Sequence, residues 1–448
     1  MREESHLKRI LNIIAALMVA AMLIATAVPC AAFADIKGTD YVGSTTVADR
    51  DLTVTEVPTI NAKYGILVDS QGNVLWSRNA DTQSAMASIT KVMTAVVVLE
   101  NAKLSDVYTV SANAASVGES SIGVAVGDKI TVKNLLCGLL VHSGNDAGVV
   151  LAEGVAGSVD AFVDMMNDKA QELGLTNTHY DNPHGLDSKD HYSSASDICV
   201  LSRYAMQNKT FAKIVGKKKV TVDYGARKQT FRSTNSLLNK WDPCIGIKTG
   251  YTSKAGYCLT SAATKDGVTL YAVVLGCEDV TQRFTDSLRL LNWGFKHYRT
   301  TTLATADETL VDVPVSAYTN RTVAAGVEQD VSQQVLDYDG DISIDVALID
   351  LPDGVNVGDR VGTITWRQGE NALASAPLVA KESCGKPLAV VQVWTSVVRL
   401  VGFFTGDDAI AQSVLHTKTI SVDYASNANG ETIDEALEEK IRIDSLKA

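Results

Sequence analysis

The sequence predicts a mixed α/β domain, built on one mainly antiparallel sheet flanked by helices and followed by a small all-β domain. Strand-like patterns lie at both ends of residues 61–300 with helical patterns between them, an order typical of such a mixed domain. Residues 301–385 instead carry short runs in which apolar and polar residues alternate between Gly, Asp and Asn turns. The chain has 448 residues, of which 46% are hydrophobic and 21% charged, enough for several buried cores.

Local patterns predict the elements of the first domain in order. Residues 35–60 are polar and aperiodic, which predicts a linker. Two apolar runs on either side of residues 70–73 (Ser-Gln-Gly-Asn) are typical of a β-hairpin. The remaining patterns predict a helix over residues 84–99, two or three helices over 132–172, a loop over 173–194, a helix over 196–215, strands over 218–235 and 246–277, and a helix over 281–298.

The N-terminus is typical of a secretory signal peptide. A basic start is followed by an apolar stretch from Ile10 to Val28 and by the sequence Ala-Phe-Ala that ends at Ala34. These three parts predict a signal peptide over residues 1–34 that is cleaved after Ala34. An uncleaved membrane anchor is the alternative, because the apolar stretch is long for a signal peptide. In both cases we expect the rest of the chain to be exported.

Charge and cysteine content exclude several classes of protein. The 40 basic and 52 acidic residues give a net charge of -12, which argues against nucleic-acid binding. No two cysteines form a C-x-x-C pair, so we expect no zinc site and no thioredoxin-like chemistry. Disulfides are permitted in an exported protein, and their pairing stays open. Six cysteines follow the signal peptide, namely Cys137, Cys199, Cys244, Cys258, Cys277 and Cys384.

Residues 386–404 predict an amphipathic membrane-anchor helix. The segment 388–404 is apolar except for residues that recur every three to four positions, so a helix gathers them on one narrow stripe. The stripe contains Gln392, Ser396 and Arg399, with Thr395 beside it. Such a helix can lie in a membrane interface. The alternatives are packing on the β domain and a tilted span across the bilayer. The tail from 405 to 448 has no predicted role.

The strongest local signal for chemistry is Ser88-Ile89-Thr90-Lys91. Positions i and i+3 share one face of a helix, so the Lys91 amine is expected beside the Ser88 hydroxyl. The residues that follow are apolar on every side, which predicts a buried helix. Burial disfavours the charged form of a lysine and lowers its pKa. A neutral amine beside a hydroxyl is a general base beside a nucleophile.

Two further tripeptides change the weight of this signal. Ser143-Gly144-Asn145 falls at a break between two apolar helices, and Lys248-Thr249-Gly250 falls at the start of a predicted strand. Each tripeptide alone is common in loops. In the order S-x-x-K, S-x-N and K-T-G, however, the three form the signature of penicillin-binding proteins and class A β-lactamases. Each element also lies in the setting that this signature requires.

The surrounding sequence resembles the low-molecular-mass penicillin-binding proteins that are serine-type D-alanyl-D-alanine carboxypeptidases. The matching stretches are ASITKVMTA, HSGNDA, ELGLTNTHY, HGLDSKDHYSSASD, GIKTGYTSKAGYCLTSAA and QRFTDSLRLLNWGF. They cover about residues 60–300. The resemblance implies a β-lactamase/penicillin-binding transpeptidase-like fold for a catalytic domain at 61–300. Members of the family carry an all-β domain followed by an amphipathic membrane-binding helix, and the domain at 301–385 and the helix at 386–404 resemble that pair.

The resemblance implies a reaction and a role for each residue of the signature. Ser88 attacks the carbonyl of the penultimate D-alanine, Lys91 takes its proton, and water later hydrolyses the acyl-enzyme. Ser143 relays a proton to the leaving amine. The residues implied in binding are Asn145 on Lys91 or the substrate amide, Lys248 and Thr249 on the terminal carboxylate, Gly250 at the close approach of the strand, and Tyr251, whose backbone N–H joins that of Ser88 in the oxyanion hole.

Two positions leave questions open. Many relatives have histidine where this chain has Tyr251, which puts the rate or its pH dependence in doubt but not the reaction class. Arg283 matches the arginine of the family's QRF stretch and is expected either to add carboxylate binding or to be a surface arginine at a helix start. The resemblance further implies peptidoglycan stem peptides that end in D-Ala-D-Ala as substrates, β-lactams as covalent inhibitors, no cofactor, and a place at the outer face of the bacterial cytoplasmic membrane or in the cell envelope.

Three other functions stay open from the residues. A class A β-lactamase needs a glutamate for deacylation, and the loop between Glu172 and Asp197 contains none. A D,D-endopeptidase and a non-catalytic penicillin sensor are the other two.

His179, His184, Asp187 and Asp197 are candidates for a metal or base site, but their spacing matches no ligand pattern. We expect these residues to hold the 173–197 segment against the active site, with Asp197 as a helix cap.

Overall fold

The computed structural model describes residues 38–53, 56–406 and 411–422. The signal peptide predicted at 1–34 lies outside the described residues. Most of the tail beyond residue 405 also lies outside them, apart from the short stretch 411–422.

A seven-stranded antiparallel sheet forms the centre of the first half of the chain. The strands of this half are β1 (Tyr41–Val42), β2 (Thr45–Thr46), β3 (Tyr64–Asp69), β4 (Val74–Arg78), β5 (Val107–Thr109), β6 (Lys129–Thr131), β7 (Lys219–Asp223), β8 (Lys228–Arg232), β9 (Cys244–Thr252), β10 (Gly256–Lys265) and β11 (Val268–Cys277). The central sheet has the order β2-β1-β4-β3-β11-β10-β9, and β5–β6 and β7–β8 form separate two-stranded ribbons. Strand β9, which carries the K-T-G tripeptide, is therefore an edge strand.

The segment 35–60, predicted as a linker, differs in the structure. Its residues 41–46 form the short hairpin β1–β2, which pairs with β4 and extends the sheet. A buried ion pair joins this segment to the sheet, because Arg78 contacts Asp40 at 2.5 Å and both side chains are only 3% exposed. Polar composition concealed this strand, since a two-residue strand is too short to show an alternating pattern.

Helices cover the sheet on both faces. They are α1 (Lys91–Asn101), α2 (Ala112–Ser116), α3 (Val132–Cys137), α4 (Asn145–Ala156), α5 (Val159–Glu172), α6 (Ala195–Gln207), α7 (Lys209–Val215), α8 (Leu237–Lys240) and α9 (Gln282–His297). The predicted helix at 84–99 begins later than expected, because a 3₁₀ turn at Ala87–Thr90 precedes α1. Ser194, and not Asp197, caps α6, since its side chain accepts a hydrogen bond from the Asp197 backbone N–H. The prediction of Asp197 as the cap is wrong.

The sheet separates two hydrophobic cores. Successive strand residues face opposite sides, so Ile66 and Val68 of β3 join one core and Leu67 joins the other. The first core contains most of α1, whose residues from Lys91 to Val98 are all buried. The second core contains the apolar face of α9. The helix that follows Ser88 is thus buried as its sequence predicts.

In the described residues from Tyr298 onward, strands predominate, with one α-helix and a 3₁₀ turn at Asp337–Asp339. The strands of this second half are β12 (Tyr298–Ala304), β13 (Val311–Pro314), β14 (Thr322–Gly326), β15 (Val331–Leu336), β16 (Ile342–Leu348), β17 (Arg360–Gln368), β18 (Asn371–Ala380), β19 (Val414–Leu415) and β20 (Thr419–Ile420). Seven of them form an antiparallel sheet in the order β19-β13-β14-β18-β17-β16-β20, and β12 pairs with β15. Fully buried Trp366 lies in its core.

Part of the tail belongs to this second sheet. Strand β19 pairs with β13 at one edge, and β20 pairs with β16 at the other edge. One short segment therefore covers both outer strands, which would otherwise expose unpaired backbone groups. The low hydrophobicity of the tail gave no sign of this pairing.

Helix α10 (Ala389–Thr405) precedes this segment and packs lightly on the β strands. Thr395 and Gly402 are its buried residues, and the Arg399 guanidinium donates to the Ser316 carbonyl at 2.5 Å. Apolar side chains on the remaining surface are exposed, with Trp394 at 64% and Phe403 at 82%. Within residues 38–53, 56–406 and 411–422, the helices are all too short or too polar to cross a membrane.

Candidate active site

A tight turn presents Ser88 immediately before a buried helix. Ala87, the preceding residue, has a φ of 50°, a backbone conformation that residues with a Cβ rarely adopt. The 3₁₀ turn then leads into α1, so that Ser88 is half-buried while Lys91 is fully buried. Residues in such conformations persist only where the surrounding structure holds them, and they cluster at functional sites.

The amine of Lys91 contacts three oxygen atoms from three parts of the chain. Its Nζ lies 2.6 Å from Ser88 Oγ, 2.7 Å from Asn145 Oδ1 and 2.6 Å from the His184 carbonyl. Burial lowers the pKa of Lys91 well below its ordinary value, and the positive charge of Lys248 lowers it further. A neutral amine has two N–H groups and one lone pair. The amide and carbonyl oxygens can only accept, so the lone pair is left for the Ser88 hydroxyl proton.

Ser143 and Asn145 lie on the opposite wall of the site. Ser143 has a φ of 71° where a π-helical segment, Gly138–His142, ends. Asn145 begins α4, and its Nδ2 donates to the Gly118 carbonyl at 2.9 Å, which leaves Oδ1 directed at Lys91. The π-helical segment and the left-handed residue place the Ser143 hydroxyl over the site, as such irregular helices often do at functional positions.

Lys248 and Thr249 of β9 form a second set of polar contacts in the site, with Ser143 and Thr234. Lys248 Nζ donates to Ser143 Oγ at 3.0 Å and to the Thr249 carbonyl at 2.8 Å. Burial lowers the pKa of Lys248 to about 7, with a further contribution from the positive Arg283. The Thr249 hydroxyl lies 2.7 Å from that of Thr234. Sequence reasoning missed Thr234, because an isolated threonine in a strand-rich region gives no signal of its own.

Two glycines allow the backbone segments to approach Ser88. A Cβ on Gly250 would lie 2.8 Å from the Met86 carbonyl oxygen and 3.2 Å from the Ser88 backbone nitrogen. Gly185 has a φ of +91°, and a Cβ there would lie 2.0 Å from the Ala87 carbonyl oxygen. The contacts of 2.8 and 2.0 Å with backbone oxygen atoms are too short for any side chain. The absent Cβ atoms thus let β9 and the 184–186 loop close on the turn that carries Ser88.

Tyr251 and Arg283 both line the cavity, but Tyr251 is exposed and Arg283 is buried. Tyr251 is 53% exposed, and its ring stacks on Tyr257 with the centroids 4.3 Å apart. Arg283 is buried and donates through Nη1 to the Gly250 carbonyl at 3.1 Å. Burial lowers the pKa of its guanidinium to about 10. The alternative of a surface arginine is therefore wrong, and the Arg283 Nε has no hydrogen-bond partner among the described residues.

These groups surround one open cavity of about 400 Å³. It brings together most of the residues predicted for the site, with Lys91 and Lys248 buried directly behind its walls. Its lining residues are Ser88, Glu119, Ser120, Ser143, Asn145, Gly185, Leu186, Asp187, Thr234, Thr249, Gly250, Tyr251, Thr252, Ser253 and Arg283. A serine hydroxyl, a buried amine and cationic groups therefore border one space that is large enough for a short peptide.

The His and Asp residues of the 173–197 segment do not form one cluster. Asp187 accepts a hydrogen bond from Thr252 Oγ1 at 2.8 Å across the cavity edge, and Asp197 accepts from Thr178 Oγ1 at 2.7 Å. His179 contacts the Asp190 carbonyl, and His184 reaches the site only through its backbone carbonyl. The contacts of Asp187 and His184 join this loop to the active site.

His191 supports the turn that carries Ser88 through a contact with Thr90. The sequence analysis did not predict this role. Its Nδ1 accepts from the Asp181 backbone N–H at 3.0 Å, so the neutral ring carries its proton on Nε2. That nitrogen lies 2.7 Å from Thr90 Oγ1, and Thr90 in turn donates to the Ala87 carbonyl at 2.8 Å. Burial lowers the pKa of His191 to about 4. A neutral histidine thereby holds the strained residue next to Ser88.

Both halves of the chain match known protein families. Residues 51–279 match the family model described as D-alanyl-D-alanine carboxypeptidase, and residues 298–386 match the model of the penicillin-binding protein 5 C-terminal domain. D-alanyl-D-alanine carboxypeptidase DacF of Bacillus subtilis strain 168 is 33% identical over 341 residues, which are 72% of this chain and 86% of that protein.

Solved structures give the same result for the fold. Penicillin-binding protein 6B from Escherichia coli is 31% identical, with a TM-score of 0.57 over 72% of this chain and 96% of that one. Penicillin-binding protein 5 from Haemophilus influenzae is 29% identical, with a TM-score of 0.55 over 74% of this chain and 99% of that one. The predicted fold class is confirmed by these matches.

The buried neutral state of His191 predicts acid sensitivity. The pKa of about 4 in the folded state lies below the ordinary value of 6.5, so the unfolded chain binds the proton more tightly. We expect this contribution to be complete above pH 6.5 and to be lost as the pH falls toward 4, with a total of about 3 kcal/mol. Urea unfolding between pH 7.5 and 4 measures it.

The matched variants are His191→Gln and His416→Gln. Glutamine does not titrate, so His191→Gln is expected to be less stable at neutral pH but to lose less further stability on acidification. His416 is 40% exposed at its side chain, contacts Asp312, and serves as the control for the loss of a histidine away from the active site. An unchanged acid profile in His191→Gln would contradict the assignment.

Proposed function

This chain belongs to the D-alanyl-D-alanine carboxypeptidase family of serine peptidases, and we propose that Ser88, Lys91 and Ser143 carry out its reaction. The protein is a serine-type D-Ala-D-Ala carboxypeptidase and a penicillin-binding protein. Its substrates are proposed to be peptidoglycan stem peptides that end in D-Ala-D-Ala. The observation that carries the proposal is the fully buried Lys91 amine, 2.6 Å from Ser88 Oγ.

Acylation begins with proton transfer from Ser88 to Lys91. The lowered pKa of Lys91 leaves its lone pair available, and the Asn145 and His184 oxygens hold its two N–H groups. Ser88 Oγ attacks the carbonyl carbon of the penultimate D-alanine while its proton moves to Lys91 Nζ. The resulting oxyanion accepts hydrogen bonds from the backbone N–H groups of Ser88 and Tyr251. Close approach at Gly250 supports this pairing of donors.

Collapse of the tetrahedral intermediate breaks the C–N bond. The Ser143 hydroxyl donates a proton to the leaving nitrogen, and D-alanine departs as the free amino acid. Ser143 recovers its proton from the protonated Lys91, either directly or relayed through Lys248, whose Nζ lies 3.0 Å from its hydroxyl, so that Lys91 becomes neutral again. Water then attacks the ester with Lys91 again as the base, which releases the shortened peptide and restores Ser88. Base catalysis of this kind contributes about 10²–10⁴-fold to a rate.

The terminal carboxylate of the substrate is proposed to bind beside Thr249. Lys248 and Arg283 supply positive charge there, and both are held by backbone carbonyls of β9. Two buried cations with lowered pKa values are poised for an anion, because an anion between them offsets the free energy of burying their charge. The carboxylate of a β-lactam is expected at the same position, with the lactam carbonyl at Ser88.

The proposal is tested by release of D-alanine from a stem pentapeptide by the purified protein without residues 1–34. We expect release by the wild type and none by Ser88→Ala, together with labelling of the wild type alone by fluorescent penicillin. Release from a cross-linked dimer, measured in parallel, separates carboxypeptidase from endopeptidase activity. Labelling that persists in Ser88→Ala would contradict the assignment of the nucleophile.

Lys91 and Lys248 are expected to respond differently to the same substitution. Lys91→Arg should lower the acylation rate by about 10³-fold or more, because a guanidinium cannot act as a base at neutral pH. Lys248→Arg keeps the charge and should mainly raise KM, by about tenfold, through a displaced carboxylate contact. Stopped-flow acylation and steady-state kinetics measure the two effects. Equal losses of kcat in both folded variants would contradict this division of roles.

We further propose that the protein acts outside the cytoplasmic membrane and that α10 binds the membrane surface. The apolar side chains of α10 face away from the β strands, while Thr395 and Arg399 contact the carbonyls of Ala317 and Ser316. A length of 17 residues corresponds to about 25 Å, which suits a helix lying in the interface. The β strands between α9 and α10 then separate the active site from lipid.

Membrane binding by α10 is expected to resist salt, because Arg399 is its one basic residue and contacts protein. The protein that lacks residues 1–34 should float with phosphatidylcholine vesicles at both 0.1 and 0.5 M NaCl. The variant W394D/F403D should stay in the bottom fraction of the gradient. Substitutions are preferable to truncation, since β19 and β20 follow α10 and pair with the sheet. Arg399→Gln is the matched control. Equal flotation of wild type and W394D/F403D would exclude α10 as the anchor.

A further inference from the structure

Glu119 is an acidic residue on the cavity wall that the proposed reaction does not use. Its two neighbours in the chain both hold Asn145. The Gly118 carbonyl accepts from Asn145 Nδ2 at 2.9 Å, and the Ser120 carbonyl accepts from the Asn145 backbone N–H at 2.7 Å. Glu119 is therefore tied on both sides to the residue that contacts Lys91.

The segment that follows Glu119 is held from beneath by a buried carboxylate. Asp146, which is 1% exposed, accepts from Ser121 Oγ at 2.6 Å and from the Ile122 backbone N–H at 3.0 Å. The Ser120 hydroxyl donates to the His142 carbonyl at 3.0 Å. These contacts give the wall a defined position relative to Ser143, as a binding group requires for selectivity.

Glu119 also adopts a backbone conformation that favours glycine. Its φ is 65°, in the left-handed region where a Cβ destabilises the folded chain. Glycine would satisfy this turn with less strain, yet the position holds a charged side chain at the cavity. Strained residues of this kind cluster at ligand sites, where the strain is retained together with a function.

The charges of the cavity are divided between its two walls. Cationic Arg283 lies on the β9 side with Gly250, whereas Glu119 lies on the side of Asn145. Asp187, the other acidic lining residue, is engaged by Thr252 Oγ1 at 2.8 Å. The Glu119 carboxylate makes no hydrogen bond or ion pair with any residue in the described part of the chain. It is the carboxylate of the cavity that is left for a ligand.

We propose that Glu119 forms a subsite for a positively charged side chain on the residue that precedes D-Ala-D-Ala. This inference rests on the proposed function, because it concerns the upstream part of the same peptide. Glu119 lines the same cavity as Thr249 and Arg283, so a peptide whose terminal carboxylate lies beside them extends its upstream residues within reach of the Glu119 wall. An ammonium group there meets the free carboxylate, and an anionic side chain meets repulsion.

The test compares three peptides of the form Nα-acetyl-X-D-Ala-D-Ala. X is L-lysine, Nε-acetyl-L-lysine or Nε-succinyl-L-lysine, which carry a positive, a neutral and a negative side chain of related shape. For the wild type we expect kcat/KM for the lysine peptide to exceed that for the acetyl peptide by about three- to fivefold, the effect of one solvent-exposed ion pair. The ratio should fall toward one in 0.5 M NaCl.

Three variants assign this preference to one residue. Glu119→Gln should bring the ratio close to one, and Glu119→Gly should do the same in a backbone that tolerates the left-handed turn. Glu119→Lys should favour the succinyl peptide. Glu370→Gln is the matched control, because it removes one negative charge from an exposed turn of the β strands and should keep the wild-type ratio.

The outcomes separate this inference from the proposed function. Equal kcat/KM values for all three peptides in the wild type, or a preference for lysine that survives in both Glu119→Gln and Glu119→Gly, would overturn the inference. In either case D-alanine release that depends on Ser88 would leave the proposed function standing. A wild type that releases D-alanine from none of the peptides would overturn both.

Discussion

The buried amine of Lys91 is the constraint on which the catalytic half of the molecule depends. A fully buried ammonium without a carboxylate partner is costly, so the fold must keep the amine neutral and supply partners for its N–H groups. Those partners come from three places that are far apart in sequence: the Ser88 turn, the start of α4 and the loop after α5. The catalytic geometry is thus a consequence of satisfying one buried polar group.

The same constraint explains where the backbone is strained. Three oxygen atoms can meet one amine only if their segments approach closely, and Gly185 lies where the loop of His184 approaches the Ala87 carbonyl. Gly250 lies where β9 approaches the same turn. Ala87 and Ser143 take left-handed conformations beside them. Packing against the two cores holds these residues in place, and the His191–Thr90 contacts reinforce the turn at Ala87. Strain here serves to direct two hydroxyl groups at one position.

The β strands of the second half extend this rigid unit toward α10. His297 at the end of α9 contacts Asp337, and Tyr298 Oη donates to Asp69 of β3 at 2.6 Å, so both halves share buried polar contacts. The chain leaves the second sheet to form α10 and returns to it as β19 and β20. Because the sheet holds both flanks of α10, the exposed apolar face of that helix keeps a defined direction relative to the β strands.

The reaction class was predictable from the sequence, since S-x-x-K, S-x-N and K-T-G are local patterns that can be recognised without the fold. The sequence also determined the fold class, because the alternation of strands and the apolar body of α1 depend on local periodicity. The hairpin at 41–46 and the strands at 414–420 were not predictable, because two-residue strands exist only through the partners that they meet.

Which groups line the cavity became apparent in the folded structure alone. No local sequence pattern marks Glu119, Thr234 or the His184 carbonyl as part of the site. The sequence allowed two interpretations of Arg283, and its burial against Gly250 distinguishes them. The sequence predicted Asp197 as the cap of α6, whereas it is the Ser194 side chain that accepts the capping hydrogen bond. The residue type fixes which chemical groups a side chain offers. Its burial and its orientation depend on contacts between segments that are distant in the chain, and these contacts exist only in the folded protein.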